Sequence, residues 1–108
     1  MPSQIDIRAV FRERLKVARE SAQLSQKQLG IKAGLDPFVA STRINRYETG
    51  VHEPDLATIE RMALALNLPT AYFFAADERL ARLIEPFHRM SVSEKEKVLK
   101  MAEHVSRP

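Results

Sequence analysis

The spacing of apolar residues predicts an amphipathic helix in the first quarter of the chain. Phe11, Leu15, Ala18 and Ala22 follow one another at intervals of three or four residues. These intervals place the four side chains on one face of a helix, where they can pack on a core. We expect this helix to end near Gln23.

Residues that start and stop helices mark a second and a third helix. Ser25 and Gln28 have the spacing of a capping box, and Gly34 is expected to end the short second helix in the left-handed conformation. Asp36 followed by Pro37 is a strong start signal for a third helix, which we expect to reach residue 48 or 49. Its inward face is predicted to carry Pro37, Ala40, Ile44 and Tyr47, and its outward face Phe38, Ser41, Thr42, Asn45 and Arg46.

Four further helices are predicted after residue 53. One opens at Pro54-Asp55 and ends at Asn67, and a short one contains residues 71–74. Two more are expected over residues 77 to about 89, where Pro86 must start, kink or end a helix, and after the capping-box pattern of Ser91 and Glu94. The residues expected to face inward are Leu56, Ile59, Ala63, Leu66, Leu80, Leu83, Ile84 and Phe87, and the last helix is expected to carry Val98, Met101, Ala102 and Val105 on one face.

The elements together predict an all-α fold with five helices up to residue 76 and a two-helix C-terminal extension. Hydrophobic residues make up 44% of the chain and aromatic residues only 6%, which suits a helical core better than a β-sandwich. We therefore divide the chain into residues 1–76 and an extension, residues 77–108. The apolar faces of the extension favour a dimerisation element; alternatively, they complete the core of a monomer.

Composition excludes several kinds of site. The chain has no cysteine, which excludes disulfides and thiolate metal sites and favours a reducing compartment. No apolar run approaches the roughly 18 residues that cross a bilayer, and the N-terminal residues do not form a signal peptide. His52, His88 and His104 have no partners at metal-ligand spacing, and no catalytic motif is present. We expect a cytoplasmic protein with no metal, no cofactor, no small-molecule effector, no membrane contact and no enzymatic activity.

Charge is unevenly distributed along the chain. The net charge is only +3, but residues 8–46 contain nine basic and three acidic residues. A basic segment of this kind is suited to the phosphate backbone of nucleic acids, and an ordinary solvated surface explains it equally well.

Three segments occur in the order of a known motif. They are LSQKQLG at residues 24–30, INRYETG at residues 44–50 and PDL at residues 54–56. Together they resemble the lambda-repressor-like, Cro-type (XRE) helix-turn-helix family over roughly residues 9–76. The resemblance implies that two short helices joined by a turn bind double-stranded DNA, with the second helix in the major groove.

The resemblance also implies roles for individual residues. The DNA-binding residues it implies are Gln26, Lys27, Ser41, Thr42, Asn45, Arg46, Thr49 and His52. Arginine can pair with guanine and asparagine with adenine, and we expect Arg46 to be the main base contact, unless it binds only phosphate. The family further places a buried ion pair at Arg19 and Glu48 and a small residue at Gly30, where the two helices cross closely.

The sequence departs from the family in one respect. From Gly34 to Glu48 it has four residues more than the usual spacing, about one helical turn. We expect these residues to lengthen the third helix at its N-terminus; the alternative is a widened turn, with the helix starting near Ser41. Phe38 and Val39 would then contact a thymine methyl group or pack on a neighbouring loop, and we favour packing.

The sequence therefore predicts a transcription regulator, a repressor, that reads the major groove with the helix around residues 37–48. A homodimer is expected, because such proteins bind half-sites about 34 Å apart. The alternative from another class is a protein-interaction module, such as an adaptor, a coactivator or an antitoxin. Salt-dependent binding to duplex DNA would distinguish the two classes.

Overall fold

The computed structural model describes residues 4–107, which form helices and connecting turns without any strand. The termini at residues 1–3 and 108 lie outside the described residues. Six α-helices and one 3₁₀ helix follow in the order α1 (Ile7–Ser21), α2 (Gln26–Lys32), α3 (Ala40–Thr49), α4 (Leu56–Leu66), the 3₁₀ helix (Thr70–Phe74), α5 (Glu78–Arg89) and α6 (Val92–Val105). The predicted all-α fold is confirmed.

Side-chain caps mark the start of every α-helix in residues 4–107 except α3. The Asp6 carboxylate accepts hydrogen bonds from the backbone amides of the first turn of α1. Both predicted capping boxes are present: the Ser25 and Ser91 hydroxyls accept from the third residue of their helix, whose side chain accepts from the serine amide in return. Asp55 caps α4 by accepting from the Thr58 amide at 2.8 Å. Each cap satisfies amides that a helix leaves without an internal partner.

The ends of α2, α3 and α4 lie at the predicted stop residues. Gly34, Gly50 and Asn67 all have positive φ, at 87°, 82° and 54°. After α2, the Gly34 amide donates to the Ile31 carbonyl and the Leu35 amide to the Gly30 carbonyl, both at 2.9 Å. This pair of hydrogen bonds is a Schellman motif, which turns the chain sharply and lets half-buried Leu35 pack on the core.

The core lies between α1, α2, α3, α4 and the 3₁₀ helix. Its largest fully buried side chains are Leu15, Leu29, Ile44, Met62 and Phe73. Phe11 on α1 packs its ring 5.5 Å from that of Phe73 and 5.9 Å from that of Phe74, which fixes the 3₁₀ helix against α1. These contacts hold the two ends of the predicted five-helix unit together.

Some residues expected to face the core do not. Leu56 is 76% exposed, because it is the first residue of α4 and projects beyond the core. Ala22 is exposed at the C-cap of α1. The remaining residues predicted to face inward up to Leu66 are buried, apart from Pro37, which lies outside the third helix.

The last two helices bury little. α5 continues through Pro86, and only Ala81 is buried, with Ile84 packed against the core. Leu80 and Leu83 were expected to face inward but are about half exposed. In α6, no residue is buried and Val98 is only half-buried, while Met101, Ala102 and Val105 are exposed. The inward orientation predicted for Leu80 and Leu83 is wrong, because each keeps about half of its surface exposed within residues 4–107.

Candidate nucleic-acid interface

Helices α2 and α3 cross at a contact that only glycine allows. A Cβ atom on Gly30 would lie 2.6 Å from the Cβ of Ala40 and 3.0 Å from its Cα. Ala40 itself is fully buried, so it cannot move aside without disturbing the packing around it. The close approach implied for Gly30 is therefore present, and it sets the position of the first turn of α3.

The third helix begins later than the sequence predicts. Residues 37–39 form a turn, and α3 starts at Ala40, so the predicted lengthening of this helix from Asp36-Pro37 is wrong. Asp36 closes the turn locally: its Oδ1 accepts from the Phe38 amide at 2.8 Å and its carbonyl accepts from the Val39 amide at 3.0 Å. The start signal of Asp36 thus produces a separate turn, while the packing of Ala40 on Gly30 decides where the helix begins.

The predicted packing of Phe38 on a neighbouring loop is also wrong. Phe38 is 97% exposed and Val39 is 40% exposed. The four extra residues therefore form a widened turn that presents an aromatic ring to solvent beside the N-terminus of α3.

Helix α3 has one buried and one polar face. Ala40, Ile44 and Tyr47 point into the core. The four residues to which the sequence assigns DNA reading on this helix are all exposed: Ser41, Thr42, Asn45 and Arg46. At about 100° per residue, Thr42 and Arg46 lie nearly opposite Ile44, so they occupy the centre of the exposed face.

Other predicted residues flank this face. Lys27 on α2 is exposed, whereas Gln26 is half-buried and its Nε2 donates to Glu48 Oε1 at 3.1 Å. An amide has two donors and one acceptor oxygen, so Gln26 keeps a donor and its oxygen for another partner. Thr49 Oγ1 donates to the Asn45 carbonyl at 2.9 Å, which leaves its hydroxyl only as an acceptor. His52 is exposed in the loop after α3.

A buried ion pair ties α1 to the end of α3. Arg19 Nε donates to Glu48 Oε2 at 2.6 Å and Arg19 Nη2 to Glu48 Oε1 at 3.1 Å. The side chains are only 12% and 4% exposed, and Arg19 Nη1 also donates to the Leu24 carbonyl at 2.9 Å. The hydrogen bonds to Glu48 raise the pKa of Arg19 above its usual value. The pair expected at these positions is thus present, and it joins α1, the turn before α2 and α3.

Three basic residues take positions that the sequence did not single out. Arg43 lies exposed on α3, between the predicted reading residues. Arg12 extends from α1 to Gly50, with its Cδ 3.0 Å from where a Cβ of residue 50 would be. Its basic charge was visible in the sequence, but its position depends on how α1 packs against α3.

The third such residue, Arg14, also lies on α1 and is buried, with an exposure of 7%. Its Nε donates to the Ala75 carbonyl at 2.8 Å and its Nη1 to Glu78 at 2.7 Å. A partner that is a backbone carbonyl leaves no pattern in the sequence. Arg14 therefore has a structural role, attaching the start of α5 to α1.

The exposed cations near the polar face are available to a ligand. Lys27, Arg43 and Arg46 are exposed, and none of them belongs to the four ion pairs formed within residues 4–107. Free cations next to uncharged hydrogen-bonding side chains suit a ligand that combines phosphates with base edges.

Comparison with known proteins agrees with this arrangement. The family model described as Helix-turn-helix matches residues 15–73. A solved structure described as transcriptional regulator BswR is 39% identical, with a TM-score of 0.79, covering 86% of this chain and 92% of that chain. A search of curated proteins gives no match. In the part of the chain that the structure describes, no helix is long and apolar enough to cross a membrane.

Proposed function

Since the chain belongs to the Cro-type (XRE) helix-turn-helix family, we propose that it is a transcription regulator that binds specific double-stranded DNA sequences and reads the major groove with α3. The observation that carries this proposal is the exposed face of α3, where Thr42, Asn45 and Arg46 lie together opposite a buried face. A helix fits the major groove, in which hydrogen-bonding groups distinguish all four base pairs.

Each residue of this face has a role that its chemistry supports. Arg46 donates through its guanidinium to O6 and N7 of guanine, and Asn45 pairs with N6 and N7 of adenine. Ser41 and Thr42 add shorter hydroxyl contacts to bases or phosphates. The rigid attachment of α3 by the Arg19–Glu48 pair supports specificity, because reading groups must be held in place before they meet the bases.

The surrounding residues supply contacts to the DNA backbone in this proposal. Gln26, Lys27 and His52 contact phosphates on either side of the groove, and Thr49 contributes least because its hydroxyl hydrogen is already used within α3. Arg43 joins this set, since it is exposed beside the reading residues and forms no ion pair within residues 4–107. Backbone contacts fix the register of a protein on the duplex without selecting sequence.

We also propose that the protein is a homodimer held together by its C-terminal helices. Leu80, Leu83, Met101 and Val105 are between 47% and 74% exposed, so much apolar surface of these two helices is uncovered within residues 4–107. A second copy of the same helices would cover them, and a two-fold dimer would present two α3 helices to half-sites about 34 Å apart. In this proposal the extension, residues 77–108, dimerises and residues 1–76 bind DNA.

Repression is the regulatory outcome that we propose. A dimer that occupies the major groove on two successive turns excludes other proteins from the same site, so a site overlapping a promoter would be blocked to RNA polymerase. Such a protein acts where chromosomal DNA lies, in the cytoplasm. A promoter fused to a reporter should lose activity when the chain is expressed; increased activity would replace repression by activation.

The Arg46→Ala variant tests the reading role. Selection from a random duplex pool gives the preferred site, to which Arg46→Ala should bind more weakly by ~1–3 kcal/mol, with relaxed preference at one position. The control is Arg82→Ala, which removes an equally charged, exposed side chain from α5. A uniform loss on all duplexes, with a salt slope smaller by about one, would assign Arg46 to phosphate instead. A wild-type chain without salt-dependent DNA binding would favour a protein-interaction module.

A further inference from the structure

Phe38 is the most exposed large apolar side chain in residues 4–107, with 97% of its surface accessible. It lies in the turn between α2 and α3, two residues before the helix that we propose to read DNA. An aromatic ring in this position gains nothing from the fold, because it is not part of the core. Its presence therefore points to a ligand.

The turn that carries Phe38 has a fixed backbone. Its first end is closed by the Schellman hydrogen bonds at Gly34 and Leu35, and its second end by the two hydrogen bonds to Asp36. Pro37 further restricts the chain at the tip of the turn. A ring on a preorganised backbone loses little conformational entropy when it binds, which favours a specific contact.

The neighbours of Phe38 indicate the chemistry of that ligand. The polar side chains exposed within six residues of Phe38 are Lys32, Asp36, Ser41, Thr42 and Arg43, so hydroxyls and cations outnumber the single carboxylate. A protein partner usually meets aromatic anchors within a larger apolar patch, whereas the apolar residues exposed beside the ring within this turn are Pro37 and Val39. A surface that combines one apolar ring with cations and hydroxyls fits the major groove, whose one apolar group is the C5-methyl of thymine.

We propose that Phe38 packs on a thymine C5-methyl group in each half-site and so selects thymine beside the bases read by α3. This inference rests on the proposed DNA-binding function. The N-terminal end of the second helix of a helix-turn-helix contacts base edges, and Phe38 lies at that end. The four extra residues of the turn thereby add a specificity-determining residue to the DNA-binding surface.

Replacement of thymine by deoxyuridine tests the proposal, because it removes only the methyl group. The preferred duplex is obtained by selection with the wild-type chain, and each thymine is then replaced in turn, in one or both half-sites. At one position, wild-type binding should weaken about fourfold for each methyl group, the effect of burying one such apolar group, and roughly 15-fold when both are removed. The Phe38→Ala chain should bind the thymine and deoxyuridine duplexes equally.

Leu64→Ala is the matched control, since Leu64 is an 81% exposed apolar residue on α4. It should keep the wild-type preference for thymine. Equal wild-type binding to thymine and deoxyuridine at every position, a selected site without thymine, or undiminished preference in Phe38→Ala would each overturn the role of Phe38. Those results leave DNA binding intact, whereas a chain that binds no duplex overturns the DNA-binding function as well.

Discussion

Helices α2 and α6 begin in the same way and differ in what they pack against. Each starts at a serine that forms a capping box, with Gln28 in one helix and Glu94 in the other. The seven-residue α2 buries Leu29 and Gly30, whereas the 14-residue α6 buries nothing. In these two helices, local signals therefore determine where the helix begins, and they do not determine what it will contact.

The difference separates two tasks within one small chain. The packed helices hold α3 in a fixed position, as base reading requires. In the proposed dimer, the exposed apolar residues of α5 and α6 pack against a second copy. Mutations in the two regions should accordingly affect different properties: the free energy of unfolding in the first, and association in the second.

The largest effect is expected from Glu48→Ala. This change leaves the Arg19 guanidinium, only 12% exposed, without its ionic partner, which should lower the free energy of unfolding by ~3–5 kcal/mol. Denaturant unfolding measures the loss. Glu53→Ala is the control, because it removes a carboxylate from the exposed ion pair with Arg8 and should change stability little. Equal effects of the two substitutions would show that the Arg19–Glu48 pair has no special role.

A smaller loss of stability is expected from Gly30→Ala. The added Cβ would meet Ala40 at 2.6 Å and push α2 and α3 apart, at a cost of about 1–3 kcal/mol. Thermal unfolding should detect the change, with Lys32→Ala, an exposed substitution on the same helix, as the control. A Gly30→Ala chain as stable as the wild type would mean that the two helices can separate freely.

A substitution on α6 is expected to change how two copies of the chain associate. Met101→Lys adds a charge to an exposed apolar face, so it should alter the unfolding of the monomer by less than ~0.5 kcal/mol. The same substitution should convert the dimer into a monomer at tens of micromolar, as measured by light scattering. Glu103→Gln changes the net charge equally on an exposed position of the same helix and should leave the dimer intact. A wild-type chain that is monomeric with and without operator DNA would refute the dimer.

The smallest effect concerns pH. Hydrogen bonds from the side chain and amide of Thr58 lower the pKa of Asp55, and those from the amide and hydroxyl of Ser91 lower the pKa of Glu94. A carboxylate with a lowered pKa in the folded state stabilises the fold above its unfolded pKa of about 4, and this contribution disappears as the pH falls through the folded pKa.

Because α4 belongs to the core and α6 does not, the two caps should differ. The wild-type protein should lose free energy of unfolding between about pH 5 and pH 3, the range around the ordinary carboxyl pKa. Asp55→Asn should reduce that loss. Glu94→Gln should leave that loss unchanged. Thermal unfolding at several pH values measures both variants, and an equal response would mean that α6 unfolds together with the core.

A structural feature could be predicted from the sequence when nearby residues cause it, and it was missed when a contact between distant residues causes it. Gly34, Gly50 and Asn67 end helices for local reasons, so the sequence alone located them. The start of α3 depends on Ala40 packing against Gly30, a contact between helices that the Asp36-Pro37 signal does not reflect. Arg14 was missed because two of its three partners are backbone carbonyls, those of Ala75 and Ala76. Leu80 and Leu83 on α5 were expected to face inward, since periodicity identifies an apolar face without naming its partner.

The most direct test of the central claim is a disulfide cross-link between α3 and a chosen groove. The chain has no cysteine, so Thr42→Cys introduces a single thiol at the centre of the proposed reading face. The selected duplex carries a thiol tether either on cytosine N4, which lies in the major groove, or on guanine N2, which lies in the minor groove. Ser93→Cys, on exposed α6, is the control.

Thr42→Cys should cross-link to the major-groove tether at one position in each half-site and not to the minor-groove tether, while Ser93→Cys should cross-link to neither. Cross-linking of Thr42→Cys to the minor-groove tether alone, or to no tether on a duplex that the chain still binds, would contradict the placement of α3 in the major groove.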